Sequence, residues 1–210
     1  MTADPRETLV TTILDEAFNS ARAKKSEIYK RWISVSFVMG AQLPESLLPV
    51  NVQRDGELDL LLRCMEDEFL MPETAQSPFK AHYNLMLASV WVGSIYETVR
   101  LLREVDGKQT EFDQLAHDLR LLRVTLEKHQ IADDHSLKNP LDMMRRGAGD
   151  DATRSYMYDP NNPHRSHIMP MGLSSRGSAM WQVTDIKKSE SRWIERRDLS
   201  DRVLDQFSRI

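Results

Sequence analysis

TEFDQLAHDLRLLRVTLEKH, residues 110–129, places Leu115, Leu119, Leu122 and Leu126 at intervals of four, three and four. That spacing returns to one face of a 3.6-residue helix and predicts an apolar stripe about three turns long, with charged residues on the other faces. Thr110 with Asp113 three positions on reads as the start of the helix. A stripe this narrow is stable only against other helices.

Working outward, the partners are visible. At the N-terminus, Asp4, Pro5 and Glu7 form a start signal, and Val10, Ile13, Leu14, Ala17 and Ala21 follow at helical spacing. Ile28, Trp32 and Val35 extend that face, so one helix, kinked or straight, is expected to about Met39, ended by Gly40 and Pro44. A second begins near Asp55, carries Leu58, Leu61, Leu62, Met65 and Phe69, and closes at Pro72. Ser77 and Pro78 open a third, ended by Gly107. Its stretch Leu85–Tyr96 is apolar nearly all round and predicts the most buried helix. At twelve residues that stretch is too short to cross a bilayer, and no membrane is expected. Ser89 and Gly93 leave one of its faces small enough for another helix to approach closely. With residues 110–129 this makes an antiparallel four-helix bundle over residues 1–135.

After Asp134 the pattern changes. Pro140, Gly147, Gly149, Pro160 and Pro163 punctuate residues 136–165, which read as an irregular linker with a mobile stretch GAGDDA at 147–152. Residues 166–210 read as a small extension packed on the bundle. SHIMPM (166–171), AMWQVTD (179–185) and SRWIER (191–196) are strand candidates, the last two pairing as a hairpin, and a helix near Leu199 carries Val203, Leu204 and Phe207 inward. The fold class expected is mainly α: a four-helix bundle with a small C-terminal α+β extension.

The net charge of −4 excludes a general affinity for nucleic acid. The charge is uneven, acidic in residues 1–135 and mildly basic after them, which suits contact between the two parts or with a second subunit. Cys64 is the single cysteine, so no intrachain disulfide forms. The N-terminal residues do not read as a secretory signal, and a cytoplasmic protein is expected.

Residues 123–135, RVTLEKHQIADDH, concentrate side chains able to do chemistry. His129 and Asp133 share a helical face, with Asp134 and His135 following, but there is no HExxH, no paired ExxH and no cysteine cluster. No metal is expected there, nor at His164 and His167. GLSSRGS (172–178) has phosphate-loop glycines without the lysine and reads as a turn, so no cofactor is expected.

Arg123 and His129, separated by five residues near the end of a bundle helix, resemble the R-x(4–6)-H motif of HEPN proteins. Val124 stands where that family tends to place a polar residue. The resemblance implies a homodimeric, metal-independent endoribonuclease of toxin–antitoxin or phage-defence type, with one composite site built by two subunits. In it Arg123 would stabilise the scissile phosphate and His129 would move protons. Glu97 and Arg100 are expected as neighbours if their helix packs beside residues 110–129. The plainer reading pairs Arg123 with Glu127 and sets His129 at the core's rim.

In the tail, Lys187, Lys188, Arg192, Arg196 and Arg197 with Trp193 would suit a single nucleic-acid strand through phosphate contacts and stacking. The competing reading is a half-buried strand with Trp193 packed on the bundle. The leading functional expectation is a non-catalytic helical protein acting through a protein partner or as a homodimer. The alternative is the HEPN-type ribonuclease, with RNA as substrate.

Overall fold

The computed structural model describes residues 9–71, 79–104, 112–146 and 153–209. Five helices pack antiparallel in the front part: α1 (Leu9–Lys24), α2 (Ser26–Gln42), α3 (Leu48–Phe69), α4 (Lys80–Glu104) and α5 (Asp113–Lys128). Small antiparallel sheets and a final helix, α6 (Arg196–Phe207), complete the chain. The mainly α bundle with an α+β extension is therefore what the protein forms.

The helix count differs from four because the first helix is broken. Lys25 leaves helical geometry at φ −115°, ψ 37°, and α2 starts afresh at Ser26. The break lets α1 pack on α3 through Ala21, Leu60 and Cys64, while α2 follows α3 in the opposite direction. α3 starts earlier than Asp55, at Leu48, with Pro49 in its first turn. Gly56 is required where α2 crosses α3, since a Cβ there would lie 2.6 Å from the Trp32 ring. The start signals at residues 4–7, 77–78 and 110 and the stops at 72 and 107 lie outside the described residues.

One continuous core joins Trp32, Val52, Trp91, Ile95, Leu119 and Leu122 of the bundle to Trp181, Ile194, Leu199 and Phe207 of the extension. Leu115, Leu119 and Leu122 are fully buried, as their spacing predicts. α4 is not buried all round. By length and composition it is apolar enough to cross a membrane. Its Trp91, Val92, Ile95 and Val99 are sealed in the core, yet Met86 and Val90 are 47% and 58% exposed. The cause is length: α4 has 25 residues and α5 has 16. At about 1.5 Å per residue α4 outruns its neighbour by roughly 13 Å. The first residue of α5, Asp113, meets Arg103, and Glu127 near its end meets Gly93. The first three turns of α4 thus have no α5 beside them. The close approach at Gly93 is made within the chain, by α5, and the small face does not await a second subunit.

The stretch 136–165 is not simply irregular. It holds a hairpin, β1 (Leu141–Arg146) with β2 (Thr153–Tyr158), in which Met143 faces Tyr156 and Leu141 faces Tyr158. Its residues 147–152, GAGDDA, lie outside the described residues. Tyr158 anchors the hairpin, accepting from the Ile131 amide at 3.1 Å and donating to Asp134 at 2.6 Å. In the extension β3 is Met171–Leu173 rather than 166–171, because Pro170 has no amide to give a ladder. β4 (Ala179–Asp185) alternates buried and half-buried residues and pairs with β5 (Glu190–Glu195) as the hairpin expected.

Candidate functional site

Arg123 and His129 are kept apart. Arg123 lies 3.1 Å from Glu97 and 3.1 Å from Glu127, with its guanidinium 4.9 Å above the Tyr96 ring. α4 does pack beside α5, so Glu97 and Arg100 are the neighbours expected of it, but they bind each other at 2.8 Å and Arg100 also binds Glu104 at 2.7 Å. His129 is the C-cap of α5, in the left-handed region at φ 55°, and is exposed rather than packed at the core's rim. Its carbonyl accepts from the His167 amide at 2.7 Å. Among the described residues no hydrogen bond or ion pair joins Arg123 to His129. Asp133 and Asp134 are taken by cations: Arg120 and Lys187 hold Asp133, and Arg165 holds Asp134. Among the described residues no group of three or more His, Cys, Asp or Glu side chains is arranged to hold a metal ion.

The five basic residues of the tail do not make one surface. Arg196 is fully buried, bonded to Asp59 at 2.5 Å and to Glu66 at 2.6 Å, and cannot reach a nucleic acid. Arg197 also binds Glu66, at 2.7 Å through Nε. Arg192 binds the buried Asp118 at 2.5 Å. Trp193 is 46% exposed while Ile194 next to it is buried, the reverse of a tryptophan packed on the bundle. The strand presents alternate faces, and the inward one belongs to Ile194.

Asp59, Glu66, Arg63 and Arg196 form a sealed ionic cluster. Arg63 binds Asp59 at 2.8 Å and Asp201 at 2.6 Å, and Ser200 and the Trp32 indole also donate to Asp59. Burial pushes the Asp59 carboxyl up, but Arg196 and Arg63 outweigh it and hold it below the usual carboxylate range. Every oxygen is satisfied by groups on α2, α3 and α6, so this cluster is a clamp with no room for a ligand.

The open site lies elsewhere, at the C-terminal half of α4. A cleft of about 260 Å³ is bounded by α4, the start of α5 and the β4–β5 turn. Arg100, Arg103, Arg120, Lys187 and His117 face it, and among the described residues Asp113 is the one carboxylate on its wall. Glu97 and Glu104, both exposed, bind Arg100, and two further carboxylates are largely buried. Asp133, nearly buried, holds Arg120 through two nitrogens and Lys187 at 3.2 Å. Arg120 keeps the Asp133 carboxyl low, at about 2. Asp185, also buried, holds His117 Nε2 at 2.6 Å; burial raises that carboxyl, and the hydrogen bond from His117 brings it below the usual range. Such an arrangement fixes donors in place and can hold an anion by charge-assisted hydrogen bonds. Sequence reading found Arg100 and Lys187 here but assigned them elsewhere, and it missed Arg103, His117 and Arg120. The available signal was two pairs, Arg100/Arg103 and His117/Arg120, each spaced three apart on helices that run side by side. Compared with protein-family models, with curated proteins and with solved structures, the chain matches none of them.

Proposed function

We propose that this is a non-catalytic helical protein that works by association, and that its partner is a second copy of itself. The observation that carries the reading is the solvent-exposed apolar stripe where α4 outruns α5, centred on Tyr83, Met86 and Val90. Phe79, Tyr83, Met86 and Val90 are exposed at intervals of four, three and four, a seam spacing by which two identical antiparallel helices interlock. Phe69, Leu70 and Met71, exposed at the end of α3, lie at the same end of the bundle because α3 and α4 run antiparallel. Together these residues offer on the order of 700 Å² per copy, close to the roughly 800 Å² per partner of a standard interface. Lys80 and His82 are the only side chains with basic groups in 79–90 and no acid lies among them, so two copies meet with little repulsion along the seam.

Light scattering on the eluting protein tests this. The expected result is the mass of two chains at micromolar concentration, and one chain for Met86→Glu with Val90→Glu. Being exposed, those replacements change folding stability by about 0.5 kcal/mol at most. A wild type that elutes as a single chain removes the reading.

The HEPN-type ribonuclease stands as the second reading on one observation: His129 is exposed at the end of α5 that lies beside this seam. The carboxylates on Arg123 count against it. Incubation with varied RNAs decides, since cleavage that His129→Ala abolishes without loss of helicity supports the nuclease, and intact RNA with the wild type ends it.

A further inference from the structure

We propose that the cleft between α4, α5 and the β4–β5 turn is a binding site for a small phosphorylated molecule. It lies at the far end of α4 from the stripe proposed for self-association, so a protein that stayed a single chain would still bind there, and a dimer does not require it.

Among the described residues, four permanent cations and one imidazole face a single small volume, with Asp113 as the carboxylate on the wall. Each of these cations already meets a carboxylate, Arg100 with Glu97 and Glu104, Arg103 with Asp113, and Arg120 and Lys187 with Asp133, so an anion that binds has to compete with them. A phosphomonoester, with close to two negative charges and three terminal oxygens, competes better than a monoanion. Guanidinium groups match those oxygens with paired N–H donors. The donors are available. The carboxylates engage Nε and Nη1 of Arg100 and both Nη atoms of Arg120 among the described contacts, which leaves a third nitrogen on each. Arg103 is joined through Nη2 to Asp113, itself on the wall. Asp133 and Asp185, 8% and 1% exposed at the side chain, pair with Arg120 and Lys187 and with His117 and fix those groups in place. That is preorganisation of the kind that lowers the entropy cost of binding. The volume is below the roughly 300–1,000 Å³ of sites for drug-sized ligands, so the organic body is no larger than a sugar.

The experiment is a calorimetric titration with inorganic phosphate and, separately, glycerol 3-phosphate, at constant ionic strength set by chloride. Wild-type protein is expected to saturate with a dissociation constant on the order of 1 mM or tighter. Arg100→Gln with Arg103→Gln is expected to weaken binding at least tenfold. Asp113→Asn, which removes that acid from the wall, is expected to tighten it by at least twofold, a change that a merely structural role for these side chains would not produce. Glycerol 3-phosphate binding as well as phosphate assigns the site to an organic phosphate; binding of phosphate alone overturns that part. A titration that never saturates, or a double variant that titrates like wild type, overturns the site. If circular dichroism shows the double variant unfolded, Asp113→Asn decides, and equal or weaker binding by it overturns the proposal.

Discussion

Two groups of arginines sit in one small fold and do opposite things. Arg63 and Arg196 lie between α3 and α6 with Asp59 and Glu66, and Nε, Nη1 and Nη2 of Arg196 all reach a buried carboxylate. Arg100, Arg103 and Arg120 line an open cleft. Their acids Glu97, Glu104 and Asp113 are exposed, and Asp133 is nearly buried. Guanidinium chemistry is the same in both. What differs is where the carboxylates are placed, and that decides whether the charge is spent inside the fold or offered to a ligand. A sealed ion pair gains little over a well-packed apolar pair, but losing one member is expensive because the other is left buried and bare.

The largest effect is therefore expected at the sealed group. Arg196→Ala leaves Asp59 with Arg63 alone and Glu66 with Arg197 alone, and should cost about 3–5 kcal/mol, read as a fall in the urea midpoint. A midpoint that does not move would mean water reaches those acids, and the contrast with the cleft would collapse.

Asp55 gives an intermediate effect and a sign. It is buried beside the sealed group, and burial pushes its carboxyl up to about 6, against smaller opposing hydrogen bonds from Ser94 and Thr98. Between pH 4 and 6 the folded protein keeps a proton that the unfolded chain has released, so stability falls as pH rises through that window. Asp55→Asn should abolish the slope and add about 1–3 kcal/mol at pH 7. Asp133 at the cleft works in the other direction. Held low by Arg120, it contributes stability above about pH 4 that is lost as pH falls toward 2. A stability profile that rises from pH 4 to 6 in the wild type would contradict the burial of Asp55.

The smallest stability effect belongs to the open group. Arg100→Gln with Arg103→Gln should leave the urea midpoint almost where it is, since exposed pairs contribute little. A loss as large as that of Arg196→Ala would make the cleft arginines a second clamp rather than a site.

What could be read from the residues follows the range of the interactions. The leucine stripe of α5, the β4–β5 hairpin and the inner face of α6 are local patterns, and each lies where its period puts it. The break at Lys25 escapes notice because Ala21 and Ile28 keep helical spacing across it and both pack on the Leu60 and Cys64 cluster. The β1–β2 hairpin carries Met, Arg and Tyr in place of valines and isoleucines, so no alternation marks it. Arg196 looked like a surface cation because the acids that bury it are 130 and 137 residues away. The cleft draws on three separate segments, and the exposure of early α4 depends on the length of a different helix. Both are properties of packing, which periodicity within one element does not carry.

The clamp also sets an order of events during synthesis. Asp59 and Glu66 leave the ribosome long before Arg196 does, and until it arrives their charges must stay hydrated. Glu66 meets no arginine until Arg196 and Arg197 have emerged, so the crevice that α6 fills favours water around that carboxylate until the tail docks. Rods and tail are then one cooperative body: a fragment ending at residue 135 would leave Glu66 without either of its arginines and Asp59 with Arg63 alone.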